Sequence, residues 1–224
     1  MAGFKQFREF QQGEFILVFV DTSDGGADNT AAQFLSHKWL DVPLVYHSNT
    51  SITYATPLLH QKLTDISKET GVQPIVAYER NNGGGFEMER LARLNRYGDY
   101  RVYTMKNLNP SGKLVDTGKL GWDTNTATRP KMLQDLQDAV KGEMLHIYHR
   151  QTVDEMFSFV IKPSGKPEHE ENAHDDLVMA LAGVWQLYQT EQPKKEEGGG
   201  VVETSSSINF KDAGTLVAED YYAS

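Results

Sequence analysis

Cysteine is absent from all 224 residues. That absence excludes disulfides, Cys-ligated zinc and a thiol nucleophile together, so any chemistry must come from oxygen and nitrogen groups. No apolar run approaches the roughly 18 residues of a membrane span. The opening Met1-Ala2-Gly3-Phe4-Lys5 lacks a charged-then-apolar signal pattern. A Gly-x-x-x-x-Gly-Lys-Ser/Thr phosphate loop is also missing, since Ser111-Gly112-Lys113-Leu114 has neither the spacing nor the hydroxyl. His37, His47, His60, His146, His149 and His169 are scattered without ligand spacing.

Positive charge is in the minority, with 22 Lys and Arg against 31 Asp and Glu and a net charge of -9. Taken whole, this speaks against a nucleic-acid partner, because phosphates are bound by Lys and Arg. The distribution weakens the objection. From Glu191 onward seven acids face three lysines, so the body through Thr190 carries -5. Four of the body's acids are candidate metal ligands, and divalent ions bound there would leave it near neutral or positive.

The apolar pattern sets out an α/β domain. Phe15 to Val20 reads as a strand buried on both faces, ending at Asp21 before the turn Thr22-Ser23-Asp24-Gly25-Gly26. Strands are expected over Thr30 to Trp39 and Pro43 to Ser48, and Thr56-Pro57 reads as a capped helix start. Pro74 to Tyr78 is a further short strand, ending in Glu79, and a helix follows from about Phe86 to Tyr97. Arg101 to Lys106 and Lys113 to Thr117 read as a hairpin around Asn109-Pro110-Ser111-Gly112. Pro130 to Val140 is amphipathic, Leu145 to Tyr148 and Phe157 to Lys162 read as strands, and Asn172 can cap a last helix through Tyr188. The sum is a mixed sheet covered by helices on both faces. Residues 1–192 form this domain, and residues 193–224, rich in Gly and Ser, read as a mobile tail.

Two acids, Asp21 and Glu79, end buried strands, and Asp175-Asp176 opens a late helix. In layered α/β sheets, strand C-terminal ends and helix N-termini border one crevice, so these four can converge. Converging carboxylates resist ionisation unless a cation neutralises them. An all-oxygen set suits Mg²⁺ or Mn²⁺ rather than zinc. Each acid also has a plainer reading: Asp21 as the first residue of a turn, Asp175-Asp176 as charges favouring the helix dipole. Their combination carries the functional reading.

The same segments bear a family likeness. Phe19-Val20-Asp21-Thr22-Ser23-Asp24-Gly25-Gly26-Ala27-Asp28-Asn29-Thr30 resembles the opening motif of the nuclease domains of tailed-phage large terminases. Ala77-Tyr78-Glu79-Arg80-Asn81-Asn82-Gly83-Gly84 is similar to their strand-ending acid with Asn and Gly after it. Gly121-Trp122-Asp123-Thr124-Asn125 resembles their Gly-Trp-x-Thr segment, and His174-Asp175-Asp176-Leu177-Val178-Met179-Ala180-Leu181-Ala182 their terminal motif. The matches keep the family's order from about Phe15 to Tyr188.

The resemblance implies a ribonuclease H-like fold with an inserted β-hairpin. It implies an endonuclease that cuts concatemeric double-stranded phage DNA with two Mg²⁺ or Mn²⁺ ions held by Asp21, Glu79, Asp175 and Asp176. The choice within the last pair stays open. Asp28 matches a family acid that either binds metal or steadies the turn. His174 either orients a ligand carboxylate or packs in the first turn. Gly83-Gly84-Gly85 suits a phosphate cradle or a close backbone approach. Lys106, Lys113, Lys119, Arg129 and Lys131 form a candidate DNA-backbone surface or a solvated basic face. By the same likeness, an ATPase motor domain belongs ahead of the nuclease, so this chain is either a fragment, the favoured reading, or one of two separate chains. The portal protein is the partner of the tail, the small terminase subunit is a further partner, and no membrane is involved. The place of action is the host bacterial cytoplasm, outside the mature virion. The alternatives are a transposase- or resolvase-type nuclease of the same fold, and a non-catalytic DNA- or portal-docking module.

Overall fold

The computed structural model describes residues 3–25, 28–161, 167–169 and 174–193. The chain order is β1 (Phe4–Gln6), β2 (Ile16–Asp21), β3 (Thr30–Ser36), β4 (Leu44–Ser48), α1 (Ile52–Thr70), β5 (Ile75–Tyr78) and α2 (Gly84–Leu94). There follow β6 (Arg101–Val102), β7 (Thr104–Leu108), β8 (Leu114–Leu120), α3 (Thr128–Lys141), α4 (Arg150–Phe157), β9 (Phe159–Ile161), β10 (Pro167–His169) and α5 (Asp176–Thr190). Six strands form one sheet in the order β1-β4-β3-β2-β5-β6. It is antiparallel from β2 through β3 to β4 and parallel from β2 through β5 to β6.

The uninterrupted apolar run of β2 follows from its central place, because each face meets a separate core. Leu17 and Phe19 point into a layer with Leu133 and Leu136 of α3 and Leu177, Leu181 and Val184 of α5. Ile16, Val18 and Val20 point the other way, against Leu59, Leu63 and Ile66 of α1 and Met88 and Leu91 of α2. The two-residue period of a strand sorts the side chains, and burial on both faces requires all of them to be apolar. In α5 every residue from Leu177 to Leu187 is buried. The helix therefore reads as apolar on all sides, as a helix inside a domain must.

Several expected boundaries shift, each for a physical reason. The first helix begins at Ile52 after Ser51, four residues before Thr56, so Pro57 lies inside it. A proline there leaves the carbonyl four residues back without its helical donor. Arg90 of α2 supplies one to Thr53 O at 2.9 Å, and Thr56 Oγ1 donates to Ile52 O at 2.9 Å. The expected strand from Arg101 to Lys106 is split. Arg101 and Val102 pair with β5, while Thr104–Leu108 forms a separate two-stranded sheet with β8. Tyr103 breaks it by turning its ring inward, 5.9 Å from Trp122.

Leu145 to Tyr148 forms no strand and makes one bridge, His146 to Asp41. The strand expected over Phe157 to Lys162 shortens to Phe159–Ile161 because α4 takes the preceding residues. Asn172 and Lys162 lie outside the described residues. Asp175 stands at the N-cap of α5 without a side-chain cap bond. The first-turn amide of Leu177 instead donates to Glu155 Oε2 of α4 at 3.0 Å.

Candidate metal centre

Chain direction alone brings the first two acids together. β2 and β5 run parallel with Val20 beside Tyr78, so Asp21 and Glu79 leave the sheet at the same end, and Glu79 N donates to Val20 O at 2.8 Å. Glu79 is 8% exposed. Its place is held from both sides. Arg80 N donates to Trp122 O and Trp122 N to Tyr78 O, both at 2.8 Å, so Gly121-Trp122 extends the sheet by one residue beside Glu79. Thr22 Oγ1 donates to Asn81 O at 2.8 Å and Asn82 Nδ2 to Thr22 O at 3.1 Å, tying together the two turns that follow the strands. A Cβ on Gly84 would collide with Glu79 O and Thr22. The glycine run thus serves the close approach of α2 to the site.

The last pair arrives on α5, which packs across β2 and β3. A Cβ on Gly183 would collide with the ring of Phe19 on β2, so this glycine lets the helix lie against the sheet. Two turns earlier, Asp176 reaches the strand ends. Its Oδ2 accepts from Asn29 N and Asn29 Nδ2, both at 3.2 Å. Asp175 accepts from the guanidinium of Arg129 on the first turn of α3. His174 Nδ1 stands 3.9 Å from Asp176 Oδ2.

All four acids line one open cleft of about 580 Å³, with Thr22, Asp28, Asn81, Asn82, Thr124, Arg129 and Met179. Their electrostatics show the strain of convergence. Burial, the hydrogen bond to Glu79 and the charges of Glu79, Asp176 and Asp175 hold the Asp21 carboxyl well above the usual carboxylate range. Burial also raises Asp176, against the bonds from Asn29. Behind them, burial lifts Glu155 to about 7 against its bonds from the amides of Leu177 and Val178. Among the described residues no three acids or imidazoles close into a ready cation cage. Each carboxylate is engaged elsewhere: Asp21 with Glu79, Glu79 Oε1 with Asn81 Nδ2 at 2.8 Å, Asp176 with Asn29, Asp175 with Arg129.

The five basic residues have different neighbours. Arg129 lines the cleft. Lys106 is paired with Glu191, Lys119 with Asp123 and Lys131 with Asp135. Lys113 sits on the exposed hairpin turn, its amide donating to Asn109 Oδ1 at 2.9 Å. Asp28 is exposed at the cleft rim, and its carbonyl accepts from Ser23 Oγ at 2.9 Å. The sequence reading assigned no role to Asn29, Thr124, Met179 or Glu155. The Asn81-Asn82 and Thr124 positions lay inside segments already singled out, whereas Glu155 on an unforeseen helix left no signal.

No family model matches the sequence, and no curated protein matches it. The fold does match solved structures. The large terminase nuclease of thermophilic phage G20c with bound magnesium is 11% identical at TM-score 0.57, over 83% of this chain and 88% of that one. The large terminase nuclease domain of Thermus phage P74-26 is 13% identical at TM-score 0.57, over 87% and 90%. The human cytomegalovirus terminase nuclease domain, manganese-soaked, is 12% identical at TM-score 0.51, over 78% and 83%. The six-stranded mixed sheet with helices on both faces is thus the ribonuclease H-like fold of large terminase nuclease domains.

Proposed function

We propose that this chain is an endonuclease of phage genome packaging, cutting double-stranded DNA with two Mg²⁺ or Mn²⁺ ions. The observation that carries this reading is the convergence of Asp21, Glu79, Asp175 and Asp176, from two strands and one helix, on a single open cleft. The donor set fits such ions: carboxylate oxygens without thiol or imidazole, in a wall where Thr124 Oγ1 is buried without a partner. Asp28 at the rim offers a further oxygen. Bound there, two divalent cations supply the charge that activates a water and stabilises the leaving oxygen of an in-line displacement.

The chain's own residues prepare that site. Asp21 and Glu79 on parallel strands fix one side of it, and Asp175 and Asp176 on α5 fix the other. Asn81 and Asn29 orient Glu79 and Asp176 by hydrogen bonds. The unneutralised cleft repels phosphate, so DNA enters only once its negative charge is balanced.

The reading takes residues 1–192 as the catalytic unit. Residues 193–224 are proposed to dock on a portal protein, and residues 194–224 lie outside the described residues. An ATPase motor domain and a small terminase subunit are the other proposed partners, in the host cytoplasm. No helix among the described residues is long and apolar enough to cross a membrane. The test is a supercoiled plasmid with the full chain and Mg²⁺ or Mn²⁺. Nicked and linear products are expected with either ion and none in EDTA. Cutting that survives chelation, or no cutting with either ion, overturns the proposal.

A further inference from the structure

Arg129 is oddly placed for a residue of helix stability. It lies in the first turn of α3, where no acid occurs and where a cation opposes the helix dipole. Its side chain is 38% exposed and pairs with Asp175. Among the described residues this is the one hydrogen bond of a guanidinium with five donors. Asp175 in turn caps nothing with its side chain, so helix geometry does not demand its carboxylate. Arg129 is also the one cation among the residues lining the cleft. The neighbouring Lys119 and Lys131 are held by Asp123 and Asp135.

We propose that Arg129 is a displaceable counter-ion of this cleft, neutralising Asp175 in the metal-free protein and passing to a DNA phosphate when a divalent cation takes Asp175. The inference rests on the nuclease reading and gives Arg129, one of its candidate DNA contacts, a second role. Two cations cannot share one carboxylate at close range without repulsion, so metal arrival frees the guanidinium. Its planar fork matches phosphate oxygens in a bidentate way that an ammonium does not. A half-exposed side chain on a helix end can turn between the two partners while the backbone stays, its amide held by Asn125 O at 3.0 Å.

The test uses the full chain with R129Q and R129K. Mn²⁺ affinity is measured by calorimetry without DNA, and plasmid cutting is measured at saturating Mn²⁺. R129Q is expected to bind Mn²⁺ about fivefold more tightly, because a competing cation is gone and a pair this exposed is modest. Its kcat/KM is expected to fall about 100-fold, as on loss of one charge-stabilising donor to a phosphate. R129K keeps the charge without the fork, so its Mn²⁺ affinity returns to the wild-type value while kcat/KM recovers only in part. A merely structural arginine would not tighten metal binding when removed. A wild-type chain that cuts and binds Mn²⁺, beside an R129Q variant that binds no more tightly or cuts as fast, overturns the inference alone. A wild-type chain that neither binds Mn²⁺ nor cuts overturns the nuclease reading and the inference with it.

Discussion

Gly183→Ala tests whether the close contact of α5 with β2 is what delivers Asp176 to the cleft. The added methyl would collide with the ring of Phe19, whereas carbon atoms settle at about 3.5–4.0 Å. Helix or ring must therefore move by roughly an ångström. Overpacking of this kind costs about 1–3 kcal/mol, and the gain from replacing glycine by alanine in a helix returns about 1 kcal/mol. These figures leave a net loss of about 0–2 kcal/mol, and so close a contact puts G183A at the upper end, with a Tm lower by about 4–8 °C for a domain of this size. Because Asp176 rides on the same helix, Mn²⁺ affinity falls too. Phe19→Leu makes room, so the double variant should melt higher than the sum of the single losses, with a coupling of about 1 kcal/mol. Melting in EDTA and calorimetry with Mn²⁺ provide both readouts. A G183A protein as stable as wild type, or one whose loss Phe19→Leu does not relieve, would refute the packing argument.

Asp21→Asn should abolish nearly all cutting, by about 100-fold or more, yet leave the metal-free protein at least as stable at pH 8. The Asp21 carboxyl is raised by folding, so its favourable contribution is present below its unfolded pKa and is lost as pH rises through the folded one. Asparagine stays neutral, and the difference in Tm should vanish near pH 4. A strongly destabilised D21N protein at pH 8 would make the acid structural. Glu155 rises from 4.5 to about 7 on folding, so it contributes a stability decline of roughly 3 kcal/mol between those pH values. Glu155→Gln keeps an oxygen for the Leu177 amide, and its Tm in EDTA should fall less steeply from pH 5 to 8. A slope equal to that of wild type would count against the burial argument.

Period and punctuation in the sequence carried the frame. The apolar run before Asp21 and the short run before Glu79 could only be central strands, because each residue must face a core. Asp and Glu at their ends marked where the sheet opens. The spacing of Leu177, Leu181, Val184 and Tyr188 after Asp175-Asp176 marked a helix with one apolar face, and the structure buries every residue from Leu177 to Leu187. These are local consequences of side-chain period, and they fixed the fold class and four acids worth watching.

What tertiary structure decided is everything that depends on partners distant in the chain. Pro57 lies within α1 because Arg90, 33 positions away in sequence, satisfies the carbonyl that proline cannot. α4 forms between the two expected strands, where no element was expected, and its Glu155 meets an open amide of α5. Of the five basic residues, equal on paper, Lys106, Lys119 and Lys131 are paired with acids that do not line the cleft, and only Arg129 lines it. Helix and strand periods are written in neighbouring residues, but ion pairs, caps supplied by another helix and the contact of Gly183 with Phe19 exist only once the chain has closed. The sequence by itself therefore determined which residues could form a metal site, and the packing of α5 on β2 decided that they meet.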